Sequence, residues 1–171
     1  MDTSQRLIIG IDPGSRITGY GIILVKGSLQ SHIAHGHIRC QQTHLCERLY
    51  HIYEKLAGII TEYQPNEAAI EQVFTCHNHQ SALKLGQARG AAMVAVARYA
   101  LPLGEYSARQ VKQAVVGYGA ADKLQVQHMV RAILKLTKTP QADAADALAI
   151  ALCHANTRQS HAMIASALAT K

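Results

Sequence analysis

The hydrophobic period of this chain changes once, near Thr43, and that change governs what it can fold into. Before it lie three apolar, β-rich runs: Leu7 to Ile11, Tyr20 to Val25 and His32 to Cys40. Pro, Gly, Ser and Thr separate the first two, which predicts an antiparallel pair. Lys26-Gly27-Ser28 then reads as a turn into the third. In that third strand Ala34, Gly36, Ile38 and Cys40 should face one way, and Ile33, His35, His37 and Arg39 the other. After it, Leu45, Leu49, Ile52, Leu56, Ile59, Ile60 and Tyr63 recur at helical spacing. Thr43 is the expected N-cap and Pro65 the stop.

The remainder alternates. Glu67 to Val73 reads as a short buried strand. Asn78 to Ser81 resembles a helix start, leading into a helix from Ala82 to Ala100. Gly86 and Gly90 share one face of it. Glycine costs about 1 kcal/mol against alanine in a helix, so the pair predicts close approach by another backbone. Leu101 to Tyr106 is a last strand, and Ser107 should cap a helix from Ala108 to about Val116. Lys123 to Leu136 is amphipathic, with Val126, Met129, Val130, Ile133 and Leu134 inward. A final helix is expected from Ala142 to about Ala155. Residues 1–156 are read as a single domain and residues 157–171 as a flexible C-terminal tail.

This order, β-β-β-α-β-α-β-α-α-α, places the chain in the α/β class. Three hairpin-linked strands followed by βα units imply a five-stranded mixed sheet with helices on both faces. The crossover from the third strand to the fourth should be right-handed. With 171 residues, one such domain buries roughly 70% of the surface its unfolded chain exposes.

Charge narrows the partner. The formal net charge is +6, which suits an anionic partner such as nucleic acid. The four cysteines, Cys40, Cys46, Cys76 and Cys153, form no C-x-x-C pair, so no zinc ribbon or redox motif is visible. Scattered thiols and no signal peptide point to a cytoplasmic protein. No apolar run approaches the ~20 residues that span a bilayer.

With only 11 Asp and Glu in the chain, their placement is informative. Asp12 closes the first strand, directly before Pro13-Gly14. Glu71 sits near the end of the strand that carries Ile70 and Val73. Asp143 and Asp146 stand three apart in "QADAADALAI", on one helical face that borders the core. Singly, each has a structural reading: a turn initiator, an arginine partner, a first-turn aspartate favoured by the helix dipole. Together they mean more. If the strands of Asp12 and Glu71 are parallel neighbours, both carboxylates emerge at one sheet end, within reach of the final helix. Like charges about 4 Å apart repel by about 4 kcal/mol at an effective dielectric of 20. Such a gathering calls for a hard divalent cation, Mg²⁺ or Mn²⁺, one or two per subunit. Two such ions suit in-line phosphoryl displacement.

The segments "IGIDPGSRITGYGII", "IEQVF", "NHQSALKLGQARG", "GYGAADKLQV" and "QADAADALAIALCH" together resemble the RuvC family of bacterial Holliday-junction resolvases, from about Leu7 to His154. The resemblance implies a ribonuclease H-like fold and a homodimer. It implies Mg²⁺-dependent paired nicks across a four-way DNA junction, and action with the RuvA and RuvB branch-migration proteins. It places Asp12, Glu71, Asp143 and Asp146 on the family's catalytic acidic positions, and Lys112 and Lys123 on lysines near the cleaved strand. Phe74, the only phenylalanine, matches a ring that stacks on an unpaired base. Ser15, Arg16 and Thr18 are expected to line the approach to the site. Arg89, Arg109, Arg131, Lys135 and Lys138 are candidate phosphate contacts. Cys76, His77 and His79 are read as part of a mobile DNA-facing loop rather than a soft-metal cluster.

Three rivals stand beside this reading: an actin- or sugar-kinase-type nucleotide-binding domain, a RuvC-like nuclease acting on ribosomal RNA precursors, and a junction-binding protein that does not cut. The chain is short for the two-domain nucleotide clamp. "QADAADALAIA" is unexpected in the second, and four intact carboxylates argue against the third.

Overall fold

The computed structural model describes residues 5–73 and 79–169. Five strands form one sheet in the order β3-β2-β1-β4-β5. They are β1 (Arg6–Asp12), β2 (Ile17–Lys26), β3 (Leu29–Arg39), β4 (Glu67–Glu71) and β5 (Leu103–Tyr106). The first three pair antiparallel. β4 joins β1 in parallel and β5 joins β4 in parallel. The mixed sheet matches the order expected from the sequence.

The helices are α1 (Leu45–Tyr63), α2 (His79–Arg98), α3 (Ala108–Val116), α4 (Lys123–Ile133) and α5 (Ala142–Ala169). They divide between the two faces because strand side chains alternate. Ile9, Ile11, Ile22, Ile38 and Ile70 point to one face, where Ile52, Leu56 and Ile60 of α1 and Ala88, Ala92, Ala95 and Val96 of α2 cover them. Ile8, Ile23 and Ala69 point to the other, under Leu148, Ile150 and Leu152 of α5 and the inner residues of α3 and α4. Each fully buried isoleucine or leucine contributes about 1.5–3 kcal/mol, so these two cores are the main source of stability. Ala34 and Cys40 of the β3 region pack on the α1 side with Ile38, as the alternation predicts.

Several boundaries differ from the expected ones. β2 and β3 are longer, because the Lys26–Leu29 pairing continues the hairpin to its turn. α1 begins after His44, not Thr43, and His44 makes no side-chain cap. α3 has the expected Ser107 cap, completed as a reciprocal capping box by Gln110. α4 carries a second such box, from Asp122 and Gln125. α5 continues to Ala169 instead of ending near Ala155. An alanine-rich segment has high helix propensity, and nothing between Asn156 and Ala169 breaks the helix. Among the described residues, no helix is long and apolar enough to cross a membrane.

Candidate active site

Asp12 and Glu71 are the last residues of β1 and β4. Those strands are parallel neighbours, with Ile11 opposite Ile70, so the two carboxylates leave the sheet at the same end. Asp12 shares a sheet face with Ile8 and Gly10, and Glu71 shares the same face with Ala69. That face lies under α5.

The helix sits unusually low over this part of the sheet. A Cβ on Gly10 would lie 2.1 Å from the Ala147 carbonyl oxygen, and one on Gly19 would lie 2.0 Å from the Asp143 carbonyl oxygen. No side chain fits at either position. The missing Cβ atoms in β1 and β2, and the alanines of "ADAADALAIA", let α5 rest backbone against backbone. Its first turns therefore carry Asp143 and Asp146 down to the end of β1.

Asp12 feels the other three acids most strongly. Asp12 is pushed up to about 8, first by burial and then by the charges of Asp146, Glu71 and Asp143. Glu71 is raised by burial and by Asp146, partly offset by Lys123, Lys112 and a hydrogen bond with Asp12. Asp146 is raised by burial, with Lys123 opposing and Asp143 reinforcing. Burial and acidic neighbours therefore favour the protonated form of Asp12.

This donor set fits a hard divalent cation: it is all oxygen, partly buried and short of positive charge. Among the described residues, no three His, Cys, Asp or Glu side chains already stand around a common point at ligand distances. The acids are electrostatic neighbours, not a closed cage. The proton that Asp12 retains offsets part of the charge that a cation would neutralise.

Two lysines flank the acids. Lys123, the first residue of α4, holds its Nζ 3.7 Å from Asp146 Oδ2 with 77% of its side chain exposed. Lys112 on α3 lowers both Glu71 and Asp146 by its charge. Lys123 thus stands at the rim of the cluster, paired with Asp146 and largely exposed.

The remaining expected site residues divide. Arg16 is exposed and Ser15 half-exposed in the β1–β2 loop, open to a ligand. Thr18 is not: it is fully buried. Its hydroxyl donates to the Gly14 carbonyl at 3.0 Å and accepts from the Gly14 N–H at 3.3 Å. It braces the loop from beneath. Arg89 also differs from a free phosphate contact. Its Nε donates to the Glu71 carbonyl at 2.9 Å, and its guanidinium is ion-paired with Glu105. It holds the end of β4 in place. Arg109 is exposed and lies across Gly119. Arg131 donates to the Leu136 carbonyl at 3.3 Å, closing the end of α4. Lys135 and Lys138 are exposed. Phe74, Cys76 and His77 lie outside the described residues.

With the site laid out, comparison with known proteins is decisive. The family model described as crossover junction endodeoxyribonuclease RuvC matches residues 8–154. The chain belongs to the RuvC family. Crossover junction endodeoxyribonuclease RuvC of Coxiella burnetii (strain Dugway 5J108-111) is 68% identical over 155 residues, covering 91% of this chain and 90% of that protein. The Marinobacter nauticus RuvC is 62% identical over 154 residues, covering 90% of this chain and 88% of that one. The structure of Thermus thermophilus RuvC in complex with Holliday junction substrate superposes with a TM-score of 0.85 at 34% identity, covering 91% of this chain and 96% of that one. The yeast mitochondrial Holliday junction resolvase Ydc2 shares the fold, with a TM-score of 0.62 at 12% identity, covering 90% of this chain and 82% of that one.

Two features of this RuvC family member escaped the sequence reading. One is the tight seating of α5, for which Gly10 and Gly19 in alternating strands were the available signal. The other is a buried polar cluster at the start of β4. Glu67 accepts from His154 Nε2 at 2.8 Å and is ion-paired with Arg158 and, at 3.4 Å, with Arg6. Tyr106 OH meets His154 Nδ1 at 2.8 Å. Burial alone would raise Glu67, but the hydrogen bonds from Arg158 and His154 outweigh it and hold the carboxyl below its usual range. No local pattern marks this cluster, because its members come from β1, β4, β5 and α5.

Proposed function

We propose that this chain resolves Holliday junctions by paired, symmetric, Mg²⁺-dependent nicks, in DNA recombination and repair. The single observation that carries the reading is the convergence of Asp12 and Glu71, at the ends of adjacent parallel strands, with the first turns of α5 that bear Asp143 and Asp146. Asp12, Glu71, Asp143 and Asp146 would hold one or two Mg²⁺ ions, with Mn²⁺ as a substitute. When bound, such ions supply the positive charge that activates a water and steadies the leaving oxygen. Asp12 would hold the ion as a carboxylate, so its proton would leave to solvent on binding. Lys123 and Lys112 then face the scissile phosphate and oppose its developing negative charge. Ser15 and Arg16 contact the DNA backbone, and Phe74 stacks on an unpaired base.

The working form is a homodimer, since a junction's opposed strands are related by two-fold symmetry. α2 supports this. Leu83 and Val94 are exposed on it, and Gly86 and Gly90 have open space where a Cβ would stand. The expected close backbone approach at this pair is thus left for a second copy. RuvA and RuvB are the expected partners, in the cytoplasm.

The test is to incubate the protein with a synthetic four-way junction, a plain duplex and single-stranded RNA, each with Mg²⁺ or EDTA. Paired nicks confined to the junction and to Mg²⁺ are expected. Cleavage of the RNA alone would select the ribosomal RNA reading, and binding without nicks the non-cutting one.

A further inference from the structure

His32 and His35 lie three apart on β3, so regular alternation would put them on opposite faces of the sheet. A bulge prevents this. Ile22 is opposite Ala34 and Ile23 is opposite His32, which leaves Ile33 as the extra, unpaired residue. Ile33 is turned outward and is 42% exposed. Beyond the bulge, His32 and His35 share one face. His32 Nε2 and His35 Nδ1 then converge to 2.7 Å, with ring centroids 4.8 Å apart and planes tilted by 59°.

Bulges re-aim side chains and often mark functional places in a sheet. This one sits on the edge strand, two strands from Asp12, and the nuclease chemistry does not use it. Among the described residues, Nδ1 of His32 and Nε2 of His35 have no hydrogen-bond partner. One ring proton therefore lies between the two facing nitrogens, and a metal ion bound there would displace it to an outward nitrogen, which is free to take it. Burial pulls both imidazoles below the ordinary histidine range, His32 further through His35, which keeps the pair neutral.

The spacing selects a geometry. Two nitrogens ~2.0 Å from a metal at a right angle are about 2.8 Å apart, whereas tetrahedral ligands are about 3.3 Å apart. The observed 2.7 Å fits adjacent positions of a tetragonal ion, the preference of Cu²⁺ and Ni²⁺. We propose that His32 and His35 form a two-imidazole chelate for a tetragonal transition-metal ion, Cu²⁺ ahead of Ni²⁺, on the bulged edge of β3. Solvent fills the remaining positions, since among the described residues no third His, Cys, Asp or Glu joins the pair. The site is chemically distinct from the acidic cluster, whose oxygen donors suit Mg²⁺.

The test is calorimetric titration of the full-length protein with Ni²⁺ in the presence of excess Mg²⁺, followed by electron paramagnetic resonance with one equivalent of Cu²⁺. One equivalent of Ni²⁺ should bind, and the Cu²⁺ spectrum should show coupling to two imidazole nitrogens. His32→Ala and His35→Ala should each weaken Ni²⁺ at least tenfold. His37→Ala, on the same strand, and Asp12→Asn should leave it unchanged. His35→Gln, which keeps volume and polarity, serves if His35→Ala does not fold. Undiminished binding in either His32 or His35 variant, or a spectrum without two-nitrogen coupling, would overturn the assignment.

Discussion

Asp12 and Glu71, at the ends of adjacent parallel strands, bring two carboxyls to one sheet end, where burial and neighbouring charge hold a proton on Asp12. Asp12 keeps that proton up to about pH 8. On the proposed reading, a proton and a divalent ion would compete for this carboxylate.

Replacing Asp12 with asparagine keeps the shape and a hydrogen-bond donor but removes the ionisable charge. Asp12→Asn should abolish junction cleavage while junction binding stays within a few-fold of the parent. Gel-shift and nicking assays on one synthetic junction check both. A mutant that nicks at the parental rate would remove Asp12 from the site.

Stability of the metal-free protein should depend on pH in a definite direction. The unfolded chain releases the Asp12 proton near 3.8, the folded chain near 8. Between these values the folded state binds more protons, so raising the pH favours unfolding. Glu71 and Asp146, also raised, add to the slope. The melting temperature in EDTA should fall from pH 5 to pH 8, and less steeply in Asp12→Asn. Mg²⁺ at about 100 times its dissociation constant should restore about 2.7 kcal/mol. A melting temperature indifferent to Mg²⁺ at pH 8 would contradict a gathered site.

Gly10→Ala tests the seating of α5. The new methyl would collide with the Ala147 carbonyl and with the Ala151 backbone nitrogen, at 2.1 and 2.7 Å. Backbone cannot yield as a side chain can, so the helix must lift, at a cost of about 1–3 kcal/mol or more. Urea unfolding should record that loss. Cleavage should fall further than the unfolded fraction explains, because Asp146 moves with the helix.

Phe74→Ala should reduce cutting more than binding. Base stacking of this kind is worth about 1–3 kcal/mol, which corresponds to a drop of roughly 5- to 150-fold in nicking rate. Equal loss of binding and cutting, together with a lower melting temperature, would assign the ring to folding instead.

Much of the architecture was legible in the residues. The switch from strand to helical period at Leu45, the cap at Ser107 and the stop at Pro65 depend on neighbours in the chain, which a sequence displays. Asp12 and Glu71 were recognisable because each follows an apolar strand that must end where polarity begins. The end of the final helix was not legible: α5 runs past Ala155 to Ala169, since alanine-rich sequence favours a helix without showing a face. Thr18 and Arg89 were assigned outward roles from their residue types. Whether a hydroxyl or guanidinium faces solvent depends on contacts to Gly14 and Glu71 that no local pattern records.

By itself the sequence determined the order of strands and helices, the basic excess and the four acidic positions, all of which are set by local period, propensity and composition. Only the tertiary structure decided that the acids meet. Their convergence depends on β4 pairing parallel to β1, and on α5 descending onto Gly10 and Gly19 until its backbone touches the sheet. The strong upward shift of Asp12 follows from that descent, because burial and neighbouring charge are properties of distance through space and not of spacing along the chain.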